Sequence, residues 1–318
     1  MRLLGEQGTM MSEIKKSYVG VSGVTSPEMQ TSLERAHMKS GLALKGRLIV
    51  EGVKATHKTQ FLDAENKYGA EWYPVGEEAF THALRHEYVS PVALPVAQMY
   101  LEKEEVASAE YRSAFIKRIQ ERGAPWLKGL QFDMLPWHNN DDLLPFLQEV
   151  KESTGLEILL QAHGPAMAEL GAKGIVERLG GYAGAIDYLL FDASHGTGKR
   201  LDVSALEPFL AEAYARFDAQ QTGIAIAGGL NAELVQQELP ALLEQYPALS
   251  WDAEGQLHPV DAHGKRPLDL ELAREYLEAS SSLLPEVPDD PNATQRAILA
   301  HDFYWFGGPR PRAPFPHH

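Results

Sequence analysis

The chain has 318 residues, of which 44% are hydrophobic, and it contains no cysteine. This length can bury one large core but is too short for two substantial enzymes, so a single domain with insertions is expected. The absence of cysteine excludes disulfides, thiolate metal sites and a cysteine nucleophile, and it suits a cytoplasmic location. A formal net charge of −15 disfavours binding to nucleic acid or anionic lipid. No apolar run is long enough for a membrane span, and no secretory signal is evident.

Apolar runs of strand length alternate with amphipathic stretches along most of the chain, which predicts alternating strands and helices. Strands are predicted at residues 18–21, 47–53, 92–99, 129–134, 157–161, 188–191, 224–227 and 248–251. Helices are predicted between them at residues 27–38, 107–121, 142–152, 165–179, 205–217, 232–245 and 268–277. Eight parallel strands close a barrel, so we predict an α/β protein with a (β/α)8 barrel, or TIM barrel, fold.

Three segments depart from this alternation. Residues 54–89, after the second strand, are aromatic and polar, and we expect them to form an extended loop and a helix at the rim of the barrel. Residues 281–318 form a proline-rich linker and an aromatic tail, which we expect to cover the barrel or to form a homodimer interface. Residues 1–16 are expected to be a disordered extension, which leaves residues 17–280 for the barrel.

Two glycine-containing segments follow the sixth and seventh predicted strands. The first reads IDYLLFDASHGTGKRLD at residues 186–202, and the second reads IAIAGGLN at residues 224–231. In each segment an apolar strand runs directly into glycines where a helix begins, which leaves backbone N–H groups free to hold an anion. The alternative is a pair of tight turns that join strands to helices. Lys199 either adds a positive charge to the predicted anion site or lies in solvent.

Ionisable side chains lie at or near the predicted strand ends. Asp192 ends the sixth strand, where the carboxyl-terminal rim of a barrel usually faces the substrate, although a helix cap is the simpler alternative. His195 lies in the first glycine loop and is either a proton shuttle, since the unperturbed pKa of histidine is near neutrality, or a loop histidine in solvent. A further set of carboxylates and imidazoles comprises Asp133, His138, His163, Asp252 and Glu254. Such a ring could hold a divalent cation, but no tight spacing of ligands is present, and we predict neither a metal nor another cofactor.

These motifs resemble the phosphoribosylanthranilate isomerase family of tryptophan biosynthesis, whose members are (β/α)8 barrels. The first strand ends VGVSGVTSPE, which is similar to the family's KICGIT opening. LLFDASHGTGKRLD and IAIAGGLN resemble its sixth-strand and seventh-strand motifs, and GLQFD, which contains Gln131, is similar to its QLHG. The resemblance covers residues 18–277 and implies that Asp192 is a general acid and that both glycine loops contact phosphate.

The chain departs from the family pattern at functional positions. Ser22 stands where the family has a cysteine general base, and a serine hydroxyl is far too weak an acid to replace a thiolate. Either Asp252 or Glu254 falls within the matching phosphate turn after the eighth strand, where a carboxylate repels phosphate. No arginine lies near residues 73–78 to match the family arginine that binds the substrate carboxylate. We therefore predict a divergent relative with a different substrate.

The resulting hypothesis is an isomerase-like or lyase-like enzyme that performs acid/base chemistry on a small phosphorylated or carboxylated metabolite. The candidate catalytic residues are Asp192, His195 and Ser22. The candidate substrate-binding residues are Gly196, Thr197, Gly198, Lys199, Gly228, Gly229, Asn231, Gln131, Asp133, Asp252 and Glu254. Two alternatives stay open: a non-catalytic barrel that serves as a binding or scaffold protein, and a metal-dependent hydrolase or lyase.

Overall fold

Eight parallel strands form a closed barrel in a computed structural model that describes residues 17–67, 69–85, 90–101, 103–123, 126–133, 141–192, 202–218 and 221–285. Each strand pairs with its neighbours in chain order, and the eighth pairs with the first. The strands are β1 (Tyr18–Ser22), β2 (Leu48–Thr56), β3 (Ala93–Tyr100), β4 (Gly129–Asp133), β5 (Glu157–His163), β6 (Tyr188–Asp192), β7 (Gly223–Ala227) and β8 (Ser250–Ala253). The predicted (β/α)8 barrel is confirmed.

Helices follow the strands around the outside of the barrel. They are α1 (Pro27–Ser40), α2 (His57–Phe61), α3 (Gly76–Leu84), α4 (Lys103–Ala107), α5 (Ala109–Gly123), α6 (Leu143–Thr154), α7 (Gly164–Leu179), α8 (Val203–Arg216), α9 (Ala232–Gln245) and α10 (Leu270–Ser282). Local sequence explains their limits. For example, the Ser26 hydroxyl accepts a hydrogen bond from the Met29 N–H at the start of α1, and Gly41, at φ 85°, ends that helix.

The segment between β2 and β3 contains two short helices, α2 and α3, where the sequence predicted a loop and one helix. A capping box between Thr56 and Thr59 starts α2. Gln60 then donates a hydrogen bond to the Pro74 carbonyl over 3.0 Å and accepts one from Arg122 of α5 over 3.2 Å. These bonds fix the segment against the barrel beside the strand ends.

The barrel interior is apolar below the strand ends. Its packed side chains are Tyr18, Val50, Leu94, Val96, Leu159, Tyr188, Leu190 and Ala225. Within this group the rings of Tyr18 and Tyr188 meet edge to face with their centroids 5.2 Å apart. A larger apolar core fills the space between the strands and the surrounding helices. The polar side chains nearer the carboxyl ends of the strands, on the inner face of the barrel, therefore lie above an apolar layer.

Several predicted segments fall outside the described residues. They are the N-terminal extension at residues 1–16 and the chain beyond residue 285, which includes the aromatic tail and the homodimer interface assigned to it. The last described helix, α10, continues to Ser282 and so passes the predicted barrel boundary at residue 280. None of the helices within the described ranges has the length and hydrophobicity required to cross a membrane.

The outer face of β2 carries a carboxyl group, Glu51, that is fully buried against α1. Burial, followed by repulsion from Glu34 of α1, raises the pKa of Glu51 well above its ordinary value, and Lys128 offsets only part of this effect. The folded protein therefore keeps a proton on this carboxyl at a pH where the unfolded chain has released it. Its contribution to stability falls as the pH rises above the unfolded value of about 4.5.

Replacement of Glu51 by glutamine should therefore stabilise the protein at alkaline pH. For each pH unit between the unfolded and folded pKa values, the free energy of unfolding of the wild type falls by about 1.4 kcal/mol relative to a variant without this titration. Urea unfolding at pH 5 and pH 8 measures the effect, and the advantage of Glu51→Gln should be larger at pH 8. Glu121→Gln, which changes an exposed pair with Lys117, is the control. A difference independent of pH would contradict the prediction.

Candidate active site

The carboxyl ends of the strands surround a cavity of about 140 Å³. Barrels of this type carry their active sites at this end. The described residues that line it are Ser22, Trp72, Gln98, Gln131, Asp133, Gln161, Leu190, Asp192, Ala227, Gly228, Gly229, Asp252, Glu254, Gly255, Gln256 and Arg266. The lining is mostly polar and carries four carboxyl groups. The cavity is therefore the candidate active site.

The structure brings most of the described candidate residues together. Those that line the cavity are Ser22, Gln131, Asp133, Asp192, Gly228, Gly229, Asp252 and Glu254. Asn231 caps α9, because its side-chain oxygen accepts a hydrogen bond from the Leu234 N–H over 2.9 Å. His163 ends β5 in register with Asp192. The first glycine loop, with His195, Gly196, Thr197, Gly198 and Lys199, lies outside the described residues, as does His138. Its contact with an anion stays a prediction.

Glutamine side chains orient two of the aspartates. Gln131 Nε2 donates to Asp133 Oδ1, and Gln161 Nε2 donates to Asp192 Oδ2, each over 3.0 Å. Asp133 ends β4 and Asp192 ends β6, so they lie on alternate strands of the barrel. Both are almost fully buried, with 2% and 6% of their surface exposed. Their carboxyl groups are thus held at fixed positions on the cavity wall.

Asp133 titrates near neutrality. Burial raises its pKa to about 7, while the positive charge of Lys54 and the hydrogen bond from Gln131 work in the opposite direction. The charges of Glu254 and Asp192 add to the rise. Because a general acid or base works best when its pKa is close to the working pH, Asp133 suits proton transfer.

Asp252 is a second carboxyl group of the same kind. Its Oδ2 accepts a hydrogen bond from the Tyr18 hydroxyl over 2.9 Å, and its buried Oδ1 has no hydrogen-bond partner among the described residues. Burial raises the pKa of Asp252 to about 7, the bond from Tyr18 lowers it, and the charges of Asp133 and Glu254 raise it further. A buried carboxylate oxygen without a partner is costly, so the site favours the protonated acid.

Lys54 supplies a fixed positive charge behind the cavity. It is 2% exposed and forms an ion pair with Glu254. Its ammonium lies 5.2 Å from the ring centre of Trp72, 5.3 Å from that of Tyr73 and 5.4 Å from that of Tyr100. Burial has the largest single effect and lowers the pKa of Lys54, but Glu254, Tyr73 and Asp133 together outweigh it, so the net shift is upward. Lys54 therefore acts as a cation and not as a neutral nucleophile.

Ser22, at the end of β1, accepts a hydrogen bond from the Gln98 amide over 2.6 Å. Its backbone carbonyl lies 2.9 Å from His258 Nε2. An amide is not a base, so its contact orients the Ser22 hydroxyl without activating it. The structure places Ser22 at the cavity, but a catalytic role for it stays a prediction.

Gly228 and Gly229 turn the chain from β7 into α9. Their φ angles are 128° and 62°, a region that favours glycine. Both residues line the cavity, and α9 begins three residues after Gly229, at Ala232. Helix starts and glycine corners present backbone N–H groups, so the geometry is compatible with the predicted anion contact.

Sequence reasoning missed several residues of the site. Lys54, Gln98 and Gln161 lie on inner strand faces, and a reading of every second residue in β2 (Leu48, Val50 and then Lys54) could have revealed the first. Trp72 and Arg266 come from loops and carried no comparable signal. Within the described ranges, no group of three or more histidine, aspartate or glutamate side chains is arranged to hold a metal.

The structure is similar to solved structures of barrel enzymes. A ligand-free variant of tryptophan synthase from M. tuberculosis has a TM-score of 0.50 and 14% identity, over 85% of this chain and 93% of that chain. Phosphoribosyl anthranilate isomerase from Thermococcus kodakaraensis has a TM-score of 0.48 and 17% identity, over 85% of this chain and 100% of that chain. At such identities the likeness extends to the fold alone. Neither a protein-family model nor a curated protein matches this chain.

Proposed function

We propose that the protein is an enzyme, divergent from the phosphoribosylanthranilate isomerase family, that moves protons within a small anionic metabolite in an isomerase or lyase reaction. The observation that carries the proposal is the convergence of Asp133, Asp192 and Asp252 on one cavity at the carboxyl end of the barrel. Buried carboxyl groups are costly for folding, so their concentration at a cavity favours a chemical role.

In this proposal Asp133 and Asp192 divide the proton transfers. Asp133, whose pKa is raised by burial to about 7, can hold a proton near neutral pH and acts as the acid. Asp192 acts as the base. Gln131 and Gln161 each hold one oxygen of these carboxyl groups and thereby orient them towards the ligand.

The chemistry is an enolisation or its nitrogen counterpart. Asp192 removes a proton from a carbon next to a carbonyl or imine group, and Asp133 gives its proton to the oxygen or nitrogen. Return of a proton to a different atom completes an isomerisation, whereas loss of a leaving group from the neighbouring carbon completes a lyase reaction. Asp252 holds a further proton in the same cavity, because burial raises its pKa to about 7.

The corner at Gly228 and Gly229 supports an anionic substrate. The two glycines line the cavity without side chains that would cover their backbone, and the start of α9 follows them. Backbone N–H groups at such a corner bind phosphate or carboxylate without a charged side chain. The substrate proposed here is therefore a small carbonyl or imine compound with a phosphate or carboxylate group.

A thermal-shift screen of metabolites tests the proposal. A ligand at a hundredfold excess over its dissociation constant stabilises the fold by about 2.7 kcal/mol. We expect the stabilising compounds to be phosphorylated or carboxylated carbonyl compounds, and we expect NMR to detect their conversion by the wild-type protein. A compound that binds in this cavity and is never converted would instead support the non-catalytic binding protein.

A further inference from the structure

Arg266 lies on the loop that joins β8 to α10, in a position fixed by its own turn. The Asp261 carboxylate accepts hydrogen bonds from the His263 and Lys265 N–H groups, each over 2.8 Å. Gly264, at φ 75°, allows the chain to reverse there, and the Asp261 N–H donates to the Lys265 carbonyl over 2.7 Å. Arg266 follows directly, so its backbone starts from a well-defined position.

The guanidinium of Arg266 is also fixed. Its Nε donates to the His258 carbonyl and its Nη2 to the Gly255 carbonyl, each over 2.9 Å, and its carbon lies 5.2 Å from the ring centre of Trp72. His258 Nδ1 lies 3.0 Å from the Arg266 carbonyl, so the two residues contact each other through both side chains and backbones. A guanidinium has five N–H donors, and the hydrogen bonds within the described ranges use two of them.

Among the described residues, no carboxylate lies within ion-pair distance of the Arg266 guanidinium. No ion pair within the described part of the chain involves Arg266, although four carboxyl groups line the same cavity. A surface arginine that served only to neutralise these carboxyl groups would be expected to approach one of them. Here the side chain is instead held by carbonyl groups and an aromatic ring, which leave its charge available to a ligand.

We propose that Arg266 binds an oxyanion of the ligand at the cavity, a carboxylate or a phosphate group, through a bidentate pair of hydrogen bonds. Fixed guanidinium groups recognise planar and tetrahedral oxyanions in this way, which a flexible ammonium cannot reproduce. The inference rests on the proposed function, because it assigns the specificity for anionic substrates to a residue of the same cavity. Trp72 and His258 act as positioning residues for the guanidinium.

Anion binding at Arg266 should depend on pH. Asp133 and Asp252 share the cavity, and burial raises the pKa of each to about 7. The carboxyl groups of Glu254 and Asp192 line the same cavity, and Lys54 lies behind it in an ion pair with Glu254. An anion repels ionised carboxylates, so affinity should be highest when Asp133 and Asp252 are protonated and should fall between pH 6 and pH 8.

The test is a titration of the full chain with sulfate and, separately, with acetate, which stand for the phosphate and carboxylate cases. The reporter is the indole N–H resonance of Trp72 in the 15N spectrum, assigned by its loss in Trp72→Phe. We expect at least one anion to shift this resonance, with at least tenfold weaker affinity in Arg266→Gln. Arg274→Gln is the matched control, because Arg274 pairs with Glu271 and Glu278 on the exposed face of α10.

Either of two outcomes overturns the proposal: no response of Trp72 to both anions, or equal affinity in Arg266→Gln and the wild type. Equal affinity would assign the anion to the corner at Gly228 and Gly229. If Arg266→Gln does not fold, Arg266→Lys tests the proposal instead. Lysine keeps the positive charge but cannot form the bidentate contact, so this variant should bind the anion at least threefold more weakly than the wild type. Asp192→Asn should still bind the anion, so loss of proton-transfer chemistry and loss of anion recognition are separable.

Discussion

Replacement of Asp192 by asparagine is expected to lower kcat by about a hundredfold or more for the substrate identified by the metabolite screen. Proton transfer by a positioned side chain typically contributes about 10²–10⁴ to the rate. Asparagine has nearly the same shape and can still accept the hydrogen bond from Gln161 Nε2, so the local geometry is kept. What it cannot do is take up a proton. Steady-state kinetics should therefore show a loss in kcat with little change in the dissociation constant of the substrate.

The same experiment has an internal control in the pH dependence of the reaction. Asp133 must be protonated to act as the acid, and its pKa is about 7. The wild-type rate should therefore be steady below that pH and fall about tenfold for each unit above it. Asp133→Asn should remove this alkaline limb together with most of the activity. Full turnover by Asp192→Asn, with an unchanged pH profile, would be incompatible with the proposed division of roles.

The barrel could be predicted from sequence because its signals are local. Apolar runs at regular intervals locate the strands, and turns and caps such as Ser26 and Gly41 limit the helices. Asp192 could be selected for the same reason, since a polar residue that ends an apolar strand of a barrel lies at the rim. Each of these inferences uses residues that are close together in the chain.

The environment of each side chain could not be predicted in the same way. The identity of Ser22 indicated a missing base, but its contact with Gln98 joins β1 to β3 across Gly52 of β2 and depends on how these three strands pair. The contact between Trp72 and Arg266 joins two loops that are distant in sequence. Such pairings depend on three-dimensional packing, so sequence periodicity carries no record of them. Arg266 shows the same limit, because its position at the cavity follows from the fold and not from any local pattern in the sequence.

The cavity has a cost in stability that follows from its chemistry. Asp133 and Asp252 stand above the apolar interior, and burial raises the pKa of each to about 7. Between the ordinary pKa of 3.8 and this value the folded state binds protons that the unfolded chain releases, so stability falls as the pH rises through that window. A core built for stability alone would use apolar side chains here. Retention of these acids is easier to understand if they act on a ligand.

Replacement of Gly20 by alanine should destabilise the protein and displace Asp252. The two residues pair in the β1–β8 register, and both face the interior. A Cβ atom at position 20 would lie 1.4 Å from Asp252 Oδ1 and 2.6 Å from its carboxyl carbon, well inside any allowed contact. Asp252 cannot turn aside without loss of its hydrogen bond from the Tyr18 hydroxyl. Overpacking of this kind typically costs about 1–3 kcal/mol, and the lost hydrogen bond adds about 1 kcal/mol.

The mechanism behind this loss can be isolated with a double-mutant cycle. Serine at position 252 is shorter than aspartate, so Gly20→Ala should lower the free energy of unfolding much less in the Asp252→Ser background than in the wild type. Urea unfolding of the four proteins should give a coupling energy of about 1–3 kcal/mol. Gly181→Ala is the control, because a Cβ atom there meets nothing within 4 Å. Equal costs in both backgrounds would show that the strain lies in the β1 backbone. A coupled loss would instead show that the small residue at position 20 exists to admit the carboxyl group, which ties the sequence of β1 to the chemistry of β8.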